Sequence, residues 1–231
     1  MPPRRLFVAL ISAAVVPLLA APPAAAQIVL DRLIVELPAR SGARADVEVR
    51  NTGDETAYVQ VRAAEVLAPG TPEAERRQLT DPEALGLLAA PSRFVLEPGA
   101  RRILRVARLD EPGARERIWR VEVRPVSGPV ASDTNAVQLL VGYGVLVVGR
   151  PEEPRAAVVG RRRGDRLELR NTGNSNALLF DGRHCDASGE RCVDLPTKRL
   201  YPGNRWRVEL RWDTAAVFRV EGPDGVREAS F

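Results

Sequence analysis

The chain has 231 residues, with 34 Lys and Arg against 30 Asp and Glu, one histidine and two cysteines. The net charge is only +4, Lys198 is the only lysine, and acidic residues are interspersed among the arginines. This argues against a nucleic-acid-binding surface. Nothing in the composition supplies a Ser/His/Asp constellation, a glycine-rich phosphate loop or a cofactor motif, so no enzyme, no cofactor and no metal is expected.

Arg4 and Arg5 precede an apolar run from Leu6 to Ala21, and Ala24-Ala25-Ala26 supplies small residues for cleavage. Residues 1–26 are therefore predicted to be a secretory signal peptide, with a mature chain starting at Gln27 in an exported compartment. The run is too short and too Pro-interrupted for a good membrane span, and no later segment resembles one, so membrane insertion is not expected.

Ile28 to Leu37 is a β-rich run. Ala45 to Arg50 alternates with Val47 and Val49 on one face, and Ala57 to Arg62 alternates again with Val59 and Val61. Period-two patterning predicts half-buried strands, and Asn51-Thr52-Gly53-Asp54 between them reads as a hairpin connection. From Leu67 to Pro91 prolines and glycines predict a long loop, with at most a helical turn near Pro82–Leu88. Strands are then expected over Arg93–Leu96, Arg101–Leu109, Ile118–Val126 and Val137–Val148, seven in all, the number of an immunoglobulin-like sandwich. Arg150-Pro151-Glu152-Glu153-Pro154 reads as a stiff charged linker. The remainder predicts a smaller sandwich, with strands at Val158–Val159, Arg166–Arg170, Ala177–Phe180, Trp206–Trp212, Val217–Glu221 and Val226–Ser230. The fold expected is all-β, two domains over 27–150 and 151–231.

A repeat supports that division. VEVRNTGD around Arg50 matches LELRNTGN around Arg170, and LEPGARRILRV from Leu96 matches LYPGNRWRVEL from Leu200. In each copy a Pro-Gly pair fits a type II turn, because Pro presets φ and Gly accepts φ > 0.

Three local features have competing readings. Arg161-Arg162-Arg163 before Gly164-Asp165 reads as a solvated hairpin turn rather than a phosphate site. Cys185 and Cys192 flank a short polar turn, which in an exported protein predicts a disulfide; a metal site using His184 with both thiolates would lack a fourth ligand. Trp119, Trp206 and Trp212 lie within strand patterns, which favours packing over carbohydrate binding.

The run from Asn135 to Val148 is long and apolar on one face at Val137, Leu139, Val141, Tyr143, Val145 and Val147. Pattern alone favours a central core strand; the alternative is an edge strand held open for a partner that lacks a strand of its own.

IVLDRLIVEL, VEVRNTGDETAYVQVR, the run APSRFVLEPGARRILRV, ERIWRVEVRPV and VLVVGRP together resemble the periplasmic chaperones of the chaperone–usher pilus pathway, in a divergent archaic or alternative branch. The resemblance implies two immunoglobulin-like domains set at an angle, location in the periplasm, and pilus subunits and an outer-membrane usher as partners. It further implies that Val137, Leu139, Val141 and Tyr143 fill the groove of an incomplete pilin. In the best-studied branch an Arg and a Lys clamp the subunit's terminal carboxylate; here Ile34 and Leu146 occupy those positions, leaving Arg32 and Arg120 as candidate anchors. The competing reading is a structural pilus subunit or adhesin with tandem sandwiches, although a first strand beginning almost at Gln27 leaves little room for a donor extension.

Overall fold

The computed structural model describes residues 28–126 and 140–231. The first strands are β1 (Ile28–Leu30), β2 (Ile34–Leu37), β3 (Arg44–Asn51), β4 (Ala57–Leu67) and β5 (Glu75–Arg77). A short helix α1 (Pro82–Leu85) leads into β6 (Leu87–Ala90), β7 (Arg93–Leu96), β8 (Arg101–Arg108), β9 (Arg117–Val126) and β10 (Tyr143–Gly149). The second half holds β11 (Val158–Arg163), β12 (Arg166–Asn171), β13 (Ala177–Cys185) and β14 (Cys192–Leu195). It ends with β15 (Lys198–Leu200), β16 (Arg205–Glu209), β17 (Ala216–Gly222) and β18 (Gly225–Ser230).

Strands β1 to β10 form two sheets, ordered β1-β3-β8-β6 and β2-β10-β9-β4-β5, with β7 also paired to β4. Val47, Val49, Leu104 and Val106 of the first sheet and Val59, Val61, Val121, Val145 and Val147 of the second share one buried cluster with Trp119. Each alternating strand therefore turns its valines into a common core, and the polar residues between them face out. Strands β11 to β18 repeat the arrangement with β11-β12-β16 facing β14-β13-β17-β18, β15 pairing with β13. Their core is built on Leu167, Leu169, Leu179, Leu200 and Phe218. Two tandem immunoglobulin-like sandwiches result, each sheet burying one face against its mate.

The internal repeat has a buried asparagine at its centre in both copies. Asn51 Nδ2 donates to the carbonyls of Glu55 and Leu96 at 2.7 and 2.9 Å, and its Oδ1 accepts from the Gly53 N–H at 3.0 Å. Asn171 Nδ2 donates to the carbonyls of Ser175 and Leu200 at 2.8 and 2.9 Å, and its Oδ1 accepts from the Gly173 N–H at 2.9 Å. The Pro-Gly turns close as expected: Ala100 N–H donates to Glu97 O and Asn204 N–H to Tyr201 O, both at 2.9 Å, with φ of +74° and +86° at Gly99 and Gly203.

Several expectations need correction. The Asn51-Thr52-Gly53-Asp54 segment is not a hairpin: β3 and β4 lie in different sheets, so it crosses the sandwich. The run from Ile28 to Leu37 also changes sheet, at the bend over Asp31–Leu33, where Asp31 Oδ1 accepts from the Glu48 N–H at 2.8 Å. The expected loop over 67–91 contains β5 and β6 as well as its helical turn. Both strands are too short for periodicity to register, and β5 is wholly exposed. In the second half β14 and β15 were missed, and the strand from Trp206 stops at Glu209. The arginines 161–163 sit inside β11 rather than in its turn, and Arg162 donates to the carbonyls of Gly164, Trp212 and Thr214.

Candidate functional site

Strand β10 is paired with β9 along its whole length, from Tyr143↔Val123 to Gly149↔Arg117. On its other side it meets β2, in parallel, only from Leu146↔Ile34 onward. The Leu146 N–H donates to Leu33 O at 2.8 Å and the Arg150 N–H to Leu37 O at 2.9 Å, so even-numbered residues direct their backbone groups towards β2. Because a strand alternates with period two, the N–H and C=O of Gly144 point the same way, beyond the end of β2. Among the described residues no strand pairs with that edge.

The odd-numbered side chains of β10 form one row, and its burial falls along the strand. Val147 and Val145 are fully buried in the first core, Tyr143 is half-buried at its rim, and Val141 is 41% exposed. Tyr143 and Val141 are thus consecutive members of a core-facing row that leaves its own core. Val137 and Leu139, expected in the same row, lie outside the described residues; among the described residues β10 begins at Tyr143.

The opposite face of β10 meets a smaller apolar cluster. Leu146, Val148 and Ile118 are buried there with Val66 and with Tyr201 of the second sandwich. A cleft of about 340 Å³ opens beside it, lined by Pro69, Arg76, Ile118, Arg120, Leu146 and Tyr201. Burial pushes the Tyr201 phenol up from its ordinary value, against the lowering effect of Arg199 and Arg120. Gly70 has φ +75° and admits Tyr201 beside it, since a Cβ there would stand 2.9 Å from the ring.

The candidate anchors sit differently. Ile34, Leu146 and Arg120 are adjacent across β2, β10 and β9, so Arg120 lies in one row with Ile34 and Leu146. Its Nη1 donates to Gly144 O at 2.9 Å. Arg32 lies on the bend before β2 and is exposed, paired with the neighbouring Asp31 at 2.8 Å. The structure does not bring the two arginines together by any contact among the described residues.

Arg150, expected to open a stiff charged linker, is only 8% exposed. It pairs with Glu36 of β2 and, at 3.1 Å, with Glu116, whose Oε2 also accepts from Asn176 Nδ2 at 2.8 Å. The Glu116 N–H donates to Asn174 O at 3.0 Å, so this residue ties the first sandwich to the second through backbone and side chain. Its Oε1 is buried without a hydrogen-bond partner. Burial pushes the Glu116 carboxyl above its ordinary value, opposed by Asn176, Arg150 and Arg199. Sequence reading missed this junction because an Arg-Pro-Glu-Glu-Pro run has the composition of a linker. The available signal was the approach of Arg150 to the end of β10.

Cys185 and Cys192 are directly opposite each other in the β13–β14 pair and form a disulfide. His184 is fully buried with both ring nitrogens engaged: Nδ1 accepts from the Arg211 N–H at 3.3 Å and Nε2 lies 3.1 Å from Thr214 Oγ1. Its ring packs on Trp212 at 5.2 Å. Bonded sulfurs and a fully occupied imidazole leave no ligand set for the metal alternative. Trp119 is buried with its Nε1 donating to Leu85 O at 3.0 Å, and Trp206 packs edge-on against Phe218.

Solved structures share this fold. The chain overlays on the structure titled "Crystal Structure of Class 5 Fimbriae Chaperone CfaA" with a TM-score of 0.67 and 20% identity, covering 88% of this chain and 98% of that one. It matches a Salmonella enterica SafB chaperone in complex with the SafA pilin (TM-score 0.63, 18% identity, 90% and 96% coverage). A further match is the CsuC-CsuE chaperone–tip subunit complex of archaic Csu pili from Acinetobacter baumannii (TM-score 0.59, 16% identity, 89% and 97% coverage). At these identities the likeness is one of fold. No protein of curated function matches the sequence. Residues 27–155 match the family described as "Pili and flagellar-assembly chaperone, PapD N-terminal domain". That match spans more than half of the chain, which therefore belongs to the pili and flagellar-assembly chaperone family.

Proposed function

We propose that this protein is a periplasmic chaperone that captures pilus subunits by donating a strand to them and delivers them to an outer-membrane usher. The observation that carries this reading is the row Val147, Val145, Tyr143, Val141, which fills the chaperone's own core at one end and leaves it at the other. A subunit lacking its final strand exposes core and unpaired backbone. A row of alternating apolar side chains beside an open edge meets both needs. The captured strand would lie along Gly144 and the residues before it, with Val137, Leu139, Val141 and Tyr143 facing the subunit groove. Arg120 is the better placed anchor for a terminal carboxylate, since it shares a row with Ile34 and Leu146; Arg32 is already held by Asp31.

Residues 1–26 would direct export and be removed. Residues 27–150 would bind the subunit, and 151–231 would form the second domain. The mechanism requires binding alone, so capture is stoichiometric and without turnover. The family match favours this reading over a structural subunit or adhesin.

Replacing Val141 by Asp tests it. Val141 is 41% exposed in the free protein, so V141D should unfold at the wild-type temperature yet fail to retain a co-expressed subunit. Unchanged capture by a folded V141D would remove this row from the interface.

A further inference from the structure

We propose that Arg120 is a displaceable cap on the open edge of β10. This inference rests on the donor-strand reading for its purpose but not for its test. The Gly144 carbonyl is the first on β10 directed past the end of β2, and so the first an approaching strand could use. It is not left free: the Arg120 side chain crosses from β9 and its Nη1 donates to Gly144 O at 2.9 Å.

The glycine makes the crossing possible. A Cβ at residue 144 would stand 3.0 Å from Arg120 Cδ, tighter than ordinary contact, so alanine already requires the arginine stem to give by a few tenths of an ångström and a branched residue requires more. Gly144 therefore keeps the outer face of β10 clear for the Arg120 stem. At Gly142 a Cβ would stand 2.8 Å from the Cβ of Arg124. Arg120 itself has no carboxylate partner in contact among the described residues, whereas neighbouring Glu122 pairs with Arg76.

A bare edge beside an apolar row is a template for pairing with any strand, including a second copy of the same chain. A guanidinium on the leading carbonyl blocks that pairing with a charge and a filled acceptor. It is also reversible, because a single exposed hydrogen bond contributes little net free energy. Only Nη1 of Arg120 is used on Gly144, so the remaining guanidinium donors are available to a carboxylate. An arriving strand that pairs with Gly144 O replaces that one hydrogen bond.

The test uses the mature protein alone. Arg120→Met keeps the aliphatic stem and removes the donor; Gly144→Thr keeps the charge and puts a branched polar side chain in the path of the stem. Both variants should self-associate roughly tenfold more tightly than wild type in sedimentation velocity. The Gly144 carbonyl ¹³C resonance should shift in R120M, while those of Val145 and Val147, bonded to β9, stay in place. Wild-type self-association in both variants, or an unmoved Gly144 carbonyl in R120M, overturns the cap. Neither readout involves a subunit, so a wild-type protein that captures no pilin would refute the function and leave the cap standing.

Discussion

At the residue scale, the two asparagines explain why an Asn-Thr-Gly motif recurs, at Asn51 where a hairpin was expected and again at Asn171. Each amide holds two carbonyls and one N–H of its crossover, tying the exit from one strand to the Pro-Gly corner of another. Replacing Asn51 or Asn171 by Ala leaves several buried backbone groups unpaired and should cost roughly 2–3 kcal/mol, measured by urea unfolding. Asp at either position would keep the acceptor and lose the donor, and should be similarly costly. The motif was legible in the sequence, but its role was not. A hairpin and a crossover begin with the same residues, and only the partner 45 residues away for Asn51 separates them.

Glu116 supplies a second test at this scale. Burial holds its carboxyl above the ordinary value of 4.5, so the folded state binds its proton more tightly than the unfolded chain. Stability arising from this group therefore increases as pH falls towards 4.5 and is reduced when the carboxylate ionises at neutral pH. The urea midpoint of wild type relative to E116Q should rise on lowering the pH from 7 to 5. A difference that is flat with pH would mean that Arg150 and Asn176 fully offset burial.

At the scale of elements, β10 divides into a part held by both neighbours and a part held by one. Val145 is fully buried and Val141 exposed, although both belong to one alternating row. V145D should therefore unfold the first sandwich, whereas V141D should spare the fold and abolish capture. A carboxylate in a subunit groove forfeits about 1.5–3 kcal/mol of apolar burial and adds a desolvation cost. The row was readable from periodicity, but the residue at which it leaves the core was not, because that depends on where β2 stops. Similarly, β5 and β6 escaped notice because three or four residues carry too little pattern to outweigh the surrounding prolines. The β13–β14 hairpin is closed by its disulfide across a short loop, so C185S/C192S should lose about 2–3 kcal/mol of stability. Reducing agent should lower the wild-type urea midpoint to that of the double variant.

For the whole molecule, the two sandwiches meet through Glu116, Asn176 and Arg150 on one side and the Ile118–Leu146–Tyr201 cluster on the other. The β10 backbone belongs to both: one row of side chains enters the first core, and the other reaches the second sandwich. Two tandem all-β units followed from composition, alternation and repeat, since these are local properties. The junction between them did not, because it joins residues far apart in sequence whose local composition resembles a linker. The account's central claim is that the open edge at Gly144 receives a subunit strand. Amide hydrogen exchange on the free chaperone and on its stoichiometric complex with a co-expressed pilus subunit tests this directly. The Gly144 N–H should exchange freely when the chaperone is alone and become strongly protected in the complex, while Val145 and Val147, already bonded to β9, remain slow in both. Equal exchange at Gly144 in the free protein and in a stable complex would place the subunit elsewhere and contradict the account.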